Sequence, residues 1–405
     1  MGNLARFAFS IGVAALFTGC GGSQPPIAAP NAAPKTPALT LRTGSTNYKV
    51  VYSFGGTSDG AIPNAGLIDV DGTLYGTTTF GGAYSCGYLG NCGTVFSVTM
   101  GGTERVLHSF GAVGDGENPG AGLINVGGTL YGTTAAGGTG YGTVFSVSVG
   151  GTEKVLHSFN KLDGARPFAS LIAEKDTLYG TTSLGGARRE GGTVFSLTAS
   201  EMEKVLYSFG GRKGSAPWQG LIRIGGTLYG TTLEGGAYHR GVVFSISPRG
   251  REKVLHSFGN GTDGVYPTAS LIDVSGTLYG TTQGGGAYDR GTVFSITPSG
   301  AEQVLYSFEK GSDGAAPSSP LTDLGGTLYG TTYEGGAYCL SADGCGTVFS
   351  ITTGGKEKVL HSFSGGPSDG ERPGRGSMID FDGTLYGTTQ YGGTYANGTV
   401  FALAP

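Results

Sequence analysis

Gly72-Thr-Leu-Tyr-Gly-Thr-Thr78, followed by a Gly-Gly pair and then Gly93-Thr-Val-Phe-Ser97, decides how this chain is read. Leu-Tyr-Gly-Thr-Thr begins at Leu74, Leu130, Leu178, Leu228, Leu278, Leu328 and Leu385, in steps of 56, 48, 50, 50, 50 and 57 residues. A near-constant period of this size means one supersecondary unit copied in tandem.

Each copy holds four short runs rich in β-branched and aromatic residues, bounded by Gly, Pro, Asp or Ser. In the second copy they cover residues 106–110, 121–124, 129–134 and 143–147. No helical period is sustained, so helices should be few. Between the second and third runs stand Asp71-Gly72, Gly127-Gly128, Gly225-Gly226, Ser275-Gly276, Gly325-Gly326 and Asp382-Gly383. Such pairs suit a tight hairpin turn in which both central residues take positive φ. Lys175-Asp176 is the weak copy. Four antiparallel strands in each of seven copies predict an all-β, seven-bladed β-propeller. Residues 50–54 form a strand-like run before the first full motif, and the last copy stops one strand short. The run should therefore pair with the last blade and close the ring. A stacked solenoid is the alternative, but its repeats would be shorter.

The 81 glycines among 405 residues show no Gly-X-Y period and fall at turn positions, which excludes collagen and argues against disorder. With net charge −4 and 13% charged residues there is no basic stripe for nucleic acid. No nucleophile elbow, zincin, Walker or dinucleotide-binding pattern occurs, so no catalytic residue, cofactor or metal site is assigned.

Residues 1–19 read as an export signal, with Arg6 ahead of a short apolar run. Phe17-Thr-Gly-Cys20 resembles a lipobox in which Cys20 takes the lipid, although Phe17 replaces the usual Leu. Residues 20–47 are then the Cys anchor and a Pro/Ala-rich linker, and residues 48–405 are the propeller. The expected location is the periplasm or cell surface, with membrane contact through the lipid alone. Residues 48–405 resemble the GloVer-type (Gloeo_Verruco) tandem-repeat family, whose mark is the Leu-Tyr-Gly-Thr-Thr, Gly-Gly, Gly-Thr-Val-Phe series. The resemblance implies an exported bacterial protein, since members carry differing attachment devices, and it implies no activity. A looser likeness to kelch blades lacks the kelch tryptophan, Trp218 being the only one in the chain.

Phenylalanines at two repeat positions, such as Phe110 and Phe145, account for 14 of the 20 and should be core. Gly76 and its copies should let neighbouring blades approach. His108, His157, His256 and His361 exchange with Tyr52, Tyr207 and Tyr306, which suggests a rim position and not a metal ligand. The Asp-Gly loop entering each blade reads as an Asx turn, with calcium as the alternative; the fourth copy has Lys213 in place of the Asp. Cys86 with Cys92, and Cys339 with Cys345, should form two local disulfides after export. A Cys₄ zinc site would need copies one and six to be neighbours.

The loop after Leu-Tyr-Gly-Thr-Thr should share a face with the Asp-Gly loop. It carries the candidate ligand-binding residues Tyr84, Arg188, Tyr238, Arg240, Tyr288, Arg290, Tyr338 and Tyr395. The expected function is a monomeric binding or scaffold module for an extracellular glycan or protein. A propeller hydrolase or lyase acting on polysaccharide and a structural surface spacer are the alternatives.

Overall fold

The structure is a computed structural model that describes residues 47–86, 90–187, 191–339, 341 and 343–405. The signal, Cys20, most of the linker and Arg188 lie outside the described residues. Residues 46–405 form one compact unit.

Seven antiparallel sheets follow one another round a ring, each with four strands from the axis outward. Blade 1 contains Ile68–Val70, Thr73–Thr78, Thr94–Thr99 and Glu104–Ser109. Blade 7 takes its first three strands from the end of the chain and its outermost strand, Tyr48–Ser53, from the beginning. That strand pairs with the third strand from Tyr48↔Leu403 to Ser53↔Thr399. The predicted closure is therefore built as a strand shared between the two ends of the domain. The only helix among the described residues is a single 3₁₀ turn, Gly211–Lys213.

The innermost strand differs from the expected one. Residues 121–123 approach the sheet as a loop, and the strand is Ile124–Val126. Three residues are all that fit before the tight turn. The short strands of neighbouring blades meet each other there, close to the axis. In six turns both central residues have positive φ, as at Asp71 (52°) and Gly72 (79°). In the weak third copy Lys175 takes positive φ and Asp176 does not.

The core lies between blades. Tyr75, Val95 and Phe110 of blade 1 pack with Leu123, Leu130, Phe145 and Val147 of blade 2. A bulge interrupts each third–outermost pairing, as between Val95 and Phe96. A bulge bends its strand and re-aims the side chains beyond it. Here Phe110 leaves the sheet and meets Phe145 of the next blade edge to face, with centroids 4.9 Å apart. The same pair recurs at all seven seams, closing with Phe54 on Phe96 at 4.9 Å. Each pair contributes roughly 0.5–1.5 kcal/mol beyond the area it buries. Gly76 has a different role from the one expected. It sits opposite Phe96 in its own sheet, and a Cβ there would lie 2.7 Å from that ring and 2.9 Å from Leu67. The glycine makes room for its cross-strand partner, and the partner then faces the preceding blade, Phe96 meeting Phe54 of blade 7.

Candidate functional site

The two long loops of each blade share one face, because they pair with each other. Ala136 and Gly137 pair with Glu117 and Gly116, and Ala61 bridges Phe80. Each entering loop also contains a non-glycine residue with positive φ just before a proline: Ile62, Asn118, Arg166, Ala216, Tyr266, Ala316 and Arg372. Such a conformation is costly, most of all for β-branched Ile62. It persists because the backbone is held from both sides. The N–H of Asn118 donates to Cys92 of the preceding blade's loop, and its carbonyl accepts from Ala135 of its own blade. The preceding-blade half of this clamp recurs in all seven copies. A fixed backbone thus presents side chains of different chemistry blade by blade.

Outside this ring lie the tyrosines singled out from sequence. Tyr84, Tyr238, Tyr288, Tyr338 and Tyr395 are exposed by 46% to 72%. Tyr141 joins them, displaced two positions by a shorter loop. They stand beside the outermost strands. Tyr338 overhangs a groove of about 360 Å³ that Asp313, Glu357 and His361 also line. The arginines differ among themselves. Arg240 stacks over Tyr266 of the next entering loop, 5.1 Å from the ring, and hydrogen-bonds its hydroxyl. Arg290 is exposed. The hydroxyl of Tyr288 titrates above its usual range because Glu309 accepts from it.

A second cluster at the mouth of the axis was missed. Arg375, from the loop entering blade 7, lies 5.4 Å from the ring of Trp218 in the loop entering blade 4. Trp218 packs on Phe168 of blade 3 at 5.3 Å. Arg375 therefore bridges blades that are not neighbours, across the axis. Burial holds its guanidinium below the usual range, while nearby Tyr333 opposes that. Arg372 lies over Tyr333 at 5.2 Å. Gln390 Nε2 donates to Asn64 Oδ1 at 2.7 Å. The available signal was Trp218 itself, which departs from the other copies; the partner Arg375 comes from 157 positions further along, beyond the reach of spacing arguments. Below this cluster small residues touch round the ring, and a Cβ on Gly376 would fall 1.6 Å from Gly66 N.

The rim position of the histidines is as expected, but they are not idle there. His108 Nε2 lies 2.9 Å from Asp115 Oδ2, which also accepts from Gly111 N–H. Where tyrosine replaces histidine, Tyr52 donates to Asp59 and Tyr306 to Asp313. The Asp carboxylate is held by backbone N–H groups from residues four before and one after it, Gly111 and Gly116, the latter at 2.6 Å on Oδ1, and not by the N–H two residues on that the expected Asx turn would use. Both predicted disulfides form, with Cα separations of 5.3 Å for Cys86–Cys92 and 5.4 Å for Cys339–Cys345.

Residues 37–224 and 139–342 match the Gloeobacter/Verrucomicrobia repeat. The chain belongs to that family. Among solved structures it is similar to a streptogramin B lyase, at 14% identity and TM-score 0.57, covering 88% of this chain and 97% of that one. It is also similar to PorZ, a surface component of the type-IX secretion system of Porphyromonas gingivalis, at 13% identity and TM-score 0.54, covering 87% and 47%. At these identities the likeness is one of fold alone. No curated protein matches. In this Gloeobacter/Verrucomicrobia repeat protein the copies differ most on the loop face, so the site is sought there.

Proposed function

We propose that the chain is an exported binding propeller that holds an extracellular glycan or protein on its loop face. The observation that carries the reading is the distribution of exposed apolar side chains. Of eleven large ones among the described residues, nine lie on the loop face and six of those are tyrosines. Val149 and Met202 are the two on the opposite face. Tyrosines spread round a ring suit a long polymer or a protein surface better than a small metabolite. Two disulfides fit an oxidising compartment, and anchoring through Cys20 would hold the domain at a membrane.

The test is affinity for the partner that a glycan array or a pull-down identifies. Tyr238→Ala with Tyr288→Ala should weaken binding by roughly 1–3 kcal/mol and leave melting unchanged, as truncations at exposed loop positions do. Thr103→Ala, on the opposite face, should do neither. The converse result would mean that the wrong face has been chosen. A second reading, an enzyme acting on polysaccharide, draws on the axial cluster, where single blades contribute residues that the other copies lack. Chain cleavage in a polysaccharide screen that Arg375→Ala abolishes would favour it.

A further inference from the structure

The seven seams between blades repeat the same arrangement on the outer rim. A His or Tyr from the outermost strand meets the Asp of the following loop, and a Glu opens the next blade's outermost strand beside them. In three seams all three groups can reach one point. His108, Asp115 and Glu153 form one cluster; His157, Asp163 and Glu203 form the second; His256, Asp263 and Glu302 form the third. In each, the donor atoms lie within 4.8 Å of one another. Two carboxylates and one imidazole leave an excess of negative charge in a half-buried place, which is costly unless a cation balances it.

The glutamate is where the imbalance shows. Oε1 of Glu153, Glu203 and Glu302 is shielded from solvent and has no hydrogen-bond partner, and the same holds for Oε1 of Glu104, Glu252 and Glu357 in the other seams.

One seam contains the chain's own answer. Between blades 3 and 4 the Asp position is Lys213, and its Nζ lies 3.0 Å from Glu252 Oε2. The Glu252 side chain is 1% exposed. A cation thus stands against the glutamate where the sequence supplies one. Between blades 6 and 7 the opposite change has occurred. Glu gives way to Tyr48, whose ring stacks on His361 at 3.8 Å, so the second carboxylate is absent. Two of the four other seams thus lose one carboxylate, and the other two keep both and replace the nitrogen ligand by Tyr52 or Tyr306.

We propose that the three His-Asp-Glu seams are binding sites for a divalent transition ion of the zinc class. One imidazole nitrogen and two carboxylate oxygens are a usual donor set for such an ion, with water completing a tetrahedron. Bonds of about 2.1 Å would put donors about 3.4 Å apart, so the clusters need only small side-chain movements to close. The histidine side chains keep 18% to 21% exposure, which leaves a path from solvent. The ion would tie consecutive blades together at their outer edge. Binding requires an Nε2 lone pair, so the Nε2–H that donates to the Asp must be given up, by proton loss or by a shift to the Nδ1–H tautomer.

The experiment is titration calorimetry of chelator-treated full-length protein with Zn²⁺, with Co²⁺ as an absorbance probe and Ca²⁺ as a control. The expected result is saturable uptake of three Zn²⁺ per chain, no Ca²⁺, and a higher melting temperature in zinc. Glu153→Gln with Glu203→Gln and Glu302→Gln keeps the side-chain volume and should abolish uptake. Folding of that variant is checked separately by circular dichroism. His239→Ala, which removes the exposed fifth histidine, should change nothing. Uptake that survives the triple change, or that follows His239, would overturn the proposal as adventitious. Absence of uptake in the native chain would overturn it in favour of protonated glutamates.

Discussion

The two faces of the ring are made by the same strands and differ in what they tolerate. On the turn face the third and outermost strands are joined the same way six times: Thr99 N–H donates to Thr103, Ser148 to Thr152, and so on to Thr352 and Lys356. On the loop face the connections vary in length, two carry disulfides, and the side chains at the strained pre-proline position run from Ala216 to Arg372. The clamp beneath that position is nevertheless as regular as the turns. The lesson is that individuality is confined to side chains standing on a repeated backbone. Loops can then change without disturbing the seams, which is the condition for a binding face on a near-identical array.

The sharpest way to break this comparison is to open the ring. If the seams are equal, losing one should undo both faces at once. Deleting residues 47–53 removes the outermost strand of blade 7 and exposes the edge at residues 399–403. It also removes Tyr48, which packs against His361, Phe363 and Phe401. The expected outcome is loss of most of the domain's stability together with association through the bare edge, read by thermal melting and sedimentation. A variant that melts like the parent would show that the closing strand is dispensable.

This closure was legible in the sequence because it needs only counting: seven motifs, one orphan strand and one copy a strand short. The seam phenylalanines were legible for the same reason. Other features were not, because repetition says which residues are equivalent and not which ones meet. The innermost strand was misplaced since its limit is the crowding at the axis. Gly76 was given to the wrong neighbour since its contact is cross-strand. The histidines could be placed on the rim, but their Asp and Glu partners come from the next loop and the next blade. Arg375 and Trp218 meet only because the ring closes. Of the predicted face, the tyrosines are exposed as expected, whereas Arg240 is engaged with Tyr266.

The second prediction separates the faces by pH. Glu104 and Glu357 face Asp59 and Asp313 in seams that carry tyrosine in place of histidine, so they report on the carboxyls without a nitrogen ligand beside them. Burial, and then those aspartates, raise both to about 7 from 4.5. An acid whose value is raised on folding favours the folded state while it is protonated. That contribution is complete below about pH 4.5, and it is lost as pH rises through 7. Partial exposure screens each group, so the effect is the sum of several modest ones. In metal-free buffer the melting temperature should fall between pH 5 and pH 8. Glu104→Gln with Glu357→Gln should flatten the slope. A profile unchanged by these substitutions would place the titrating groups elsewhere.

The smallest expected effect concerns the disulfides, and it tests whether the loop face is coupled to the seams. Cys86–Cys92 closes a loop of six-residue separation. Constraining so short a loop is worth about 2 kcal/mol at most. Yet Cys92 is fully buried, and its carbonyl accepts the N–H of Asn118, the strained residue that opens blade 2. Gly111 abuts the pair as well, since a Cβ there would lie 2.2 Å from Cys92 Sγ. Replacing both cysteines by serine should therefore do two things. Global stability should drop by about 2 kcal/mol or less. Hydrogen exchange should quicken at residues 116–119 while the equivalent residues 264–267, which have no disulfide behind them, keep their protection. Should both stretches respond alike, the effect is a general loosening, and loops and seams are one cooperative unit. If only the first responds, each loop reports to its own seam. The faces would then be independent, as the repeated clamp requires.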